Sequence, residues 1–251
     1  MFQWSLISVA LLTLALSAAL RKNGPKDEIS AALRKNGPRD EIIVARFNED
    51  LGWLEKYKGE YDITVYNKGP KSAGNFKTVN LPNVGNESHT YLWHIVNNYD
   101  RLAPRTVFLV GSAHKVPWKK EKLDSLFKYM KEHNKSEFRA CCVKVDNSKN
   151  HEYNFQIDEY QKTSDENKQV LDDRKLEPSP ERPFGKWFEA NFGDYVSPYA
   201  CYNSIFAVTR EDIRRKPKSY YQNLLEKYFS NGIHPEAVHY IERAWYAVFY
   251  S

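Results

Sequence analysis

Two short apolar strands that each run straight into polar and charged residues constrain this chain most. Ile42-Ile43-Val44-Ala45 leads into Arg46-Phe47-Asn48-Glu49-Asp50, and Ile63-Thr64-Val65-Tyr66 leads into Asn67-Lys68-Gly69. Leu51 to Tyr57, between them, reads as a short helix. Apolar runs of this length, bounded by turn residues, suit parallel strands buried on both faces. In open α/β sheets ligands bind in the crevice beyond the carboxyl ends of the strands. The polar clusters fall at those ends, so the site is expected there.

The remaining pattern extends this order. Gly69 to Asn80 reads as a polar loop. Glu87 to Tyr99 reads as a helix with Leu92, Ile95, Val96 and Tyr99 on its apolar face; Glu87, Tyr91, His94 and Asn98 share another face through their 4-3-4 spacing. Thr106 to Val110 is a third strand, ending at Gly111-Ser112. The succession β-α-β-α-β implies right-handed crossovers. The expected fold class is α/β, with a mostly parallel central sheet flanked by helices. Further on, Asp124 to His133 reads as a helix, Phe138 to Val145 as a fourth strand, and Ile205 to Val208 as a short strand. Pro217 to Phe229 and Pro235 to Phe249 read as helices.

Residues 1–20 are uncharged and largely apolar, followed at once by Arg21-Lys22. This is the pattern of a signal peptide or of a short membrane anchor, and it places the expected domain in the secretory pathway, on the lumenal side. Residues 21–40 read as a stalk. SAALRKNGPKDEI at 17–29 recurs as SAALRKNGPRDEI at 30–42, and Gly24-Pro25 and Gly37-Pro38 break any helix there. A single domain is expected over 41–251, with a polar insertion at about 148–183. The net charge of +5 comes from interspersed signs. A nucleic-acid partner would more often show a concentrated basic face, so none is expected. Cys141, Cys142 and Cys201 carry no metal-ligand spacing and read as small buried residues.

The chain has no P-loop, no GxGxxG after a strand, no GxSxG and no HExxH. The runs IIVARFNEDLGWL, VYNKG, LPNVGNESHTYLWHIVNNYD, TVFLVG, PYACYNSIFAV and HYIERAW resemble a family of uncharacterised domains from fungi, plants, algae and other lineages. The resemblance covers roughly 42–249. Its general layout is similar to nucleotide-sugar glycosyltransferases of the A-type fold, which implies a glycosyltransferase A-like sheet. The family pattern often carries a basic residue where this chain has Asn86. A-type transferases usually hold a divalent cation (Mn or Mg) through Asp-x-Asp, and this sequence has no such motif. No cofactor or metal ligand is therefore assigned.

The resemblance implies a nucleotide-sugar donor and a glycan or glycoconjugate acceptor. Arg46, Asn48, Glu49, Asp50, Asn67 and Lys68 are the candidate donor residues, with Arg243 as a further cation and Trp53, Tyr199 and Tyr202 as stacking surfaces. Fixed cations would stabilise a departing diphosphate without a metal. Asp50 reads equally as an N-cap, and Tyr66 to Gly69 also reads as a plain turn, though its place beside the first cluster favours the site. Glu87, His89, His239 and Glu242 form the pool for acceptor activation. Glu242 also reads as half of a structural ion pair with His239 or Arg243, since a buried charge needs a partner. Two other functions stay open: a non-catalytic carbohydrate-binding protein on a degenerate transferase fold, and a metal-independent hydrolase.

Overall fold

The computed structural model describes residues 38–145, 152–157 and 176–251. The apolar N-terminal segment, nearly all of the stalk, and most of the polar insertion lie outside them. One compact unit spans Asp40–Ser251. Among the described residues no helix is long and apolar enough to cross a membrane.

The elements of the sheet's first half are β1 (Glu41–Arg46), a 3-10 helix (Gly52–Tyr57), β2 (Asp62–Asn67), β3 (Lys77–Asn80), α1 (Asn86–Asn98) and β4 (Arg105–Val110). After α2 (Pro117–Glu132) come β5 (Val143–Lys144), β6 (Leu176–Glu177), α3 (Phe184–Phe192), β7 (Tyr199–Ala200) and β8 (Phe206–Thr209). The chain closes with α4 (Arg210–Ile213), α5 (Lys218–Tyr228), β9 (His234–Pro235) and α6 (Ala237–Tyr250).

The described residues form a five-stranded sheet in the order β3-β2-β1-β4-β8. The pairs β1/β2, β1/β4 and β2/β3 are parallel, and β8 runs antiparallel to β4. Ile42, Ile43, Val44, Val107, Phe108 and Leu109 are fully buried, as strands covered on both faces require. On one face Tyr57 of the 3-10 helix stacks on Phe127 of α2, ring centroids 4.2 Å apart. On the other, α1 packs on β1, α5 and α6. Tyr91 of α1 meets Phe108, Phe206 and Trp245 there.

Three expectations need correction. Residues 77–80, read within a polar loop, form the parallel edge strand β3; its residues are mostly exposed, so no apolar alternation marks it. Phe138 to Val145 is not a strand of the main sheet. Glu137 makes one bridge to Ala207, a turn follows, and only Val143–Lys144 pairs, with β7. Phe138, Cys141 and Cys142 are buried in that turn instead. Cys142 is bonded to Cys201, while Cys141 stays a buried thiol.

Candidate functional site

The strand order sets the site. From β1 the chain moves outward to β2 and β3, then crosses to β4 on the other side of β1. This reversal makes the crevice at the carboxyl ends of β1 and β4 the place for a ligand. A cleft of about 440 Å³ lies there, lined among others by Arg46, Phe47 and Glu49 after β1, Lys68 after β2, and Ser112 after β4. Asn86 and Glu87 enter from the start of α1, Lys119 from α2, Asn203 from the turn before β8, and Glu242 from α6.

The start of α1 is shaped by backbone. Gly85 (φ +56°) and Asn86 (φ +44°) are both left-handed. A Cβ on Gly85 would lie 2.5 Å from the Phe229 carbonyl, so only glycine lets the chain pass between α5 and the cleft. Asn203 (φ +70°) and Ser204 (φ +52°) form a second left-handed pair. That turn is held by the Cys142–Cys201 disulfide and by the Cys201 amide, which donates to the Glu242 carbonyl at 2.9 Å.

The two carboxylates are built differently. Glu87 Oε1 accepts from Ser204 Oγ at 3.1 Å, and Ser204 Oγ in turn accepts from Trp245 Nε1 at 3.1 Å. Glu242 accepts from the Asn203 backbone amide and is half-buried in the cleft lining. Burial first, and then the charge on Glu87, push its carboxyl up to about 8, against weaker pulls from Arg243 and Lys119.

Lys68 Nζ donates to the Val84 carbonyl at 2.6 Å and to the Asn86 carbonyl. Burial brings its ammonium down to about 7, with the Glu87 charge acting against that. Lys119 Nζ donates to Ser112 Oγ at 3.1 Å. The cleft thus has two amine groups and a carboxyl pair converging on one space.

The structure brings together Arg46, Glu49, Lys68, Glu87 and Glu242 from the sequence-derived set. Arg46 reaches the cleft wall, but its guanidinium is engaged by carbonyls. It donates to Glu49 O at 2.9 Å, Lys71 O at 2.7 Å, Ser72 O at 3.0 Å and the Asn67 side chain. Asn48 accepts from the Lys71 amide at 3.1 Å, and Asn67 Nδ2 donates to Gly69 O at 2.7 Å. These residues pin the loop after β2 rather than face a ligand. Glu49 Oε2 accepts from the Phe47 and Asn48 amides, and Asp50 accepts from the Gly52 amide at 3.1 Å, as a turn cap does.

The histidines sit beside the cleft, outside its lining. His89 is buried and its ring is pushed down to about 4 by burial and then by Lys68. His239 is pushed down to about 3, by burial and then by His234, whose Nε2 lies 3.2 Å from His239 Nε2. His234 meets Asn86 at 2.9 Å, so this pair supports the cleft wall. Arg243 points elsewhere: it pairs with Glu152 and lies over the rings of Phe155 (3.7 Å) and Tyr202 (5.1 Å). Trp53 stacks on His114, and Tyr199 accepts from Arg139, both away from this cleft.

Sequence reasoning did not select Phe47, Ser112, Lys119, Asn203 or Ile233. Lys119 lies in the first turn of α2, well past the end of β4, and Asn203 precedes β8. Phe47 is 45% and Ile233 51% exposed, so the cleft has an apolar lip over a polar floor.

The cleft does not suit a divalent ion. A hard cation takes roughly six oxygen ligands, whereas here Glu49 is bound to amides, Glu87 to Ser204, and two lysines intrude. Among the described residues no three His, Cys, Asp or Glu side chains converge as ligands.

The family described as Protein of unknown function (DUF3431) matches residues 42–251, which holds every residue of the cleft. This chain belongs to DUF3431. No curated protein and no solved structure matches it significantly.

Proposed function

We propose that the cleft is the active site of a glycosyltransferase that moves a sugar from a nucleotide-sugar donor to a hydroxyl of a glycan or glycoconjugate, without a metal. One observation carries this reading: Lys68 and Lys119 converge with Glu87 and Glu242 on the carboxyl ends of β1 and β4. A mostly parallel α/β sheet supports the glycosyltransferase A-like layout that the family resemblance implies.

The donor's diphosphate lies against Lys68 and Lys119, whose charge offsets what develops on the leaving group. The acceptor hydroxyl oxygen forms a bond to the anomeric carbon while the bond from that carbon to phosphate oxygen breaks. The electron pair leaves with the nucleoside diphosphate, and the hydroxyl proton passes to Glu242. A carboxyl raised toward neutrality suits a general base, because its proton affinity then matches the working pH. Glu87 tunes that base across the cleft. The Cys142–Cys201 disulfide suits an oxidising compartment and supports placement in the secretory lumen.

The test is turnover. The full chain incubated with nucleotide sugars and glycan acceptors releases nucleoside diphosphate, and Glu242→Gln abolishes release while retaining donor binding. Donor binding with no turnover on any acceptor would instead fit a non-catalytic carbohydrate-binding protein.

A second reading has the same carboxyl pair in its favour. Two carboxyl groups facing one cleft are also the equipment of an acid–base hydrolase. Release of free sugar in the absence of an acceptor would select it.

A further inference from the structure

Ser204 stands where glycine is the easier residue. Its backbone is left-handed (φ +52°), directly after left-handed Asn203 (φ +70°). That conformation costs any residue with a Cβ, yet a serine is kept there, fully buried. We infer that Ser204 is a positioning residue whose hydroxyl, oriented by Trp245, holds Glu87 as the charged member of the cleft's carboxyl pair and so leaves the proton to Glu242.

The direction of the serine proton follows from its partners. An indole N–H can only donate, while a serine hydroxyl has one proton to give and two lone pairs. Trp245 Nε1 lies 3.1 Å from Ser204 Oγ, so the serine accepts there. Its own proton goes to Glu87 Oε1 at 3.1 Å. Both Ser204 and Trp245 are fully buried, so solvent does not compete for that proton. A carboxylate accepts such a bond more strongly than a carboxylic acid does, so the contact favours the charged form of Glu87. Among the described residues Ser204 is the side chain that gives Glu87 a hydrogen bond.

The relay is held on every side. Trp245 packs among Tyr91, Phe206 and Phe249. The Ser204 carbonyl accepts from Tyr91 OH at 2.9 Å, and its amide donates to the Cys201 carbonyl at 3.0 Å, beside the Cys142–Cys201 bond. Glu242 and Trp245 are three residues apart on α6, hence on one side of that helix. Glu242 in turn accepts from the Asn203 amide, so one two-residue turn grips both carboxyl groups. The other charges facing the pair come from Lys68 after β2, Lys119 of α2 and Arg243 of α6, with His89 and the Tyr91 phenol on α1.

The part this plays in transfer rests on the reading proposed above, but the effect on Glu242 is measurable with no donor present. The full chain, carbon-13-labelled at its glutamate carboxyl groups, is titrated by NMR, with the Glu242 signal assigned by its loss in Glu242→Gln. Ser204→Gly removes the hydroxyl and relieves the backbone; Ser204→Ala removes the hydroxyl and keeps the Cβ. In both, Glu87 loses the donor that favours its charge and the two carboxyl groups share the proton more evenly. The Glu242 midpoint is therefore expected to fall by about one pH unit in each. Trp245→Phe removes only the N–H that points the serine proton, and a smaller fall is expected; no fall there overturns the part given to Trp245. A merely structural serine would leave the Glu242 titration unmoved and show itself only in thermal stability. An unmoved or raised midpoint in Ser204→Gly, or loss of its folded state, overturns the inference. If the midpoint falls as expected while no nucleotide sugar binds, the positioning role stands and the donor reading falls. If nucleotide sugars bind and the midpoint ignores Ser204→Gly, the reverse holds.

Discussion

Glu242 on the last helix and Glu87 on the first turn of α1 face one cleft, and burial together with the Glu87 charge drives the Glu242 carboxyl up to about 8. Lys68, in the same lining, is driven down to about 7 by its own burial. On the transferase reading proposed above, turnover needs ionised Glu242 and protonated Lys68 together. The first declines below about pH 8 and the second above about pH 7, so kcat/KM follows a bell with its optimum at about pH 7.5. Removing Glu87 lowers both groups, because its charge raises each of them. Glu87→Gln is expected to move the whole bell to lower pH, measured as nucleoside diphosphate release across pH 5.5 to about 9. An unmoved optimum would separate Glu87 from the chemistry.

Donor binding is expected to take up protons. A diphosphate beside Lys68 favours its ammonium, so the pKa rises on binding, and between the free and bound values protons enter the complex. Calorimetry at about pH 8 in buffers of different ionisation enthalpy measures this uptake directly. Lys68→Met removes the lysine share. Glu242→Gln removes a second share, since a bound anion raises that carboxyl as well. Equal uptake in wild type and Lys68→Met would place the phosphate elsewhere.

Arg46 is expected to matter to the fold. Its buried side chain donates to three carbonyls and to Asn67, and truncation removes that shared donor and leaves the buried Asn67 oxygen without it. Arg46→Ala should lower unfolding free energy by about 2–4 kcal/mol in urea titrations. If stability is unchanged while donor affinity collapses, Arg46 is a ligand residue after all.

Acid stability is expected to depend on Glu41, at the far end of β1 from the cleft. Burial works to raise its carboxyl, but the hydrogen bond and charge of His94, with Thr106, outweigh it and hold the group below its ordinary value near 4.5. A lowered carboxyl stabilises the fold above the unfolded value and loses that contribution as pH falls through the folded one. Glu41→Gln should therefore flatten the fall of thermal midpoint below about pH 5, with a smaller change at neutral pH than the wild type loses on acidification. A parallel fall in both proteins would remove this pair from the acid response.

Much of the scaffold was legible in the residues. Ile42 to Ala45, Ile63 to Tyr66 and Thr106 to Val110 are apolar runs long enough for buried strands and too short for helices. α1 and α6 are legible as helices from their spacing, but more than their apolar stripes is buried: Tyr91 and His94 of α1 are covered as well as Leu92 and Ile95, and α6 is buried on most sides. What failed depends on partners distant in sequence. Lys77-Thr78-Val79-Asn80 pairs on one edge only and carries no apolar pattern. Three cysteines do not disclose which two meet. An arginine directly after a strand looks like a phosphate ligand, and nothing in the sequence says that the Lys71 and Ser72 carbonyls fold back onto it. Lys119, in the first turn of α2, and Asn203, before β8, lie outside the polar clusters that end the strands in sequence.

The most direct test is calorimetric titration of the full chain with a panel of nucleotide sugars, in wild type and in Lys68→Met. The cleft predicts that at least one of them binds in the micromolar to millimolar range and that Lys68→Met weakens it by about tenfold or more. Heats at background for every nucleotide sugar, or an affinity that ignores Lys68, would contradict a phosphorylated sugar donor at the ends of β1 and β4.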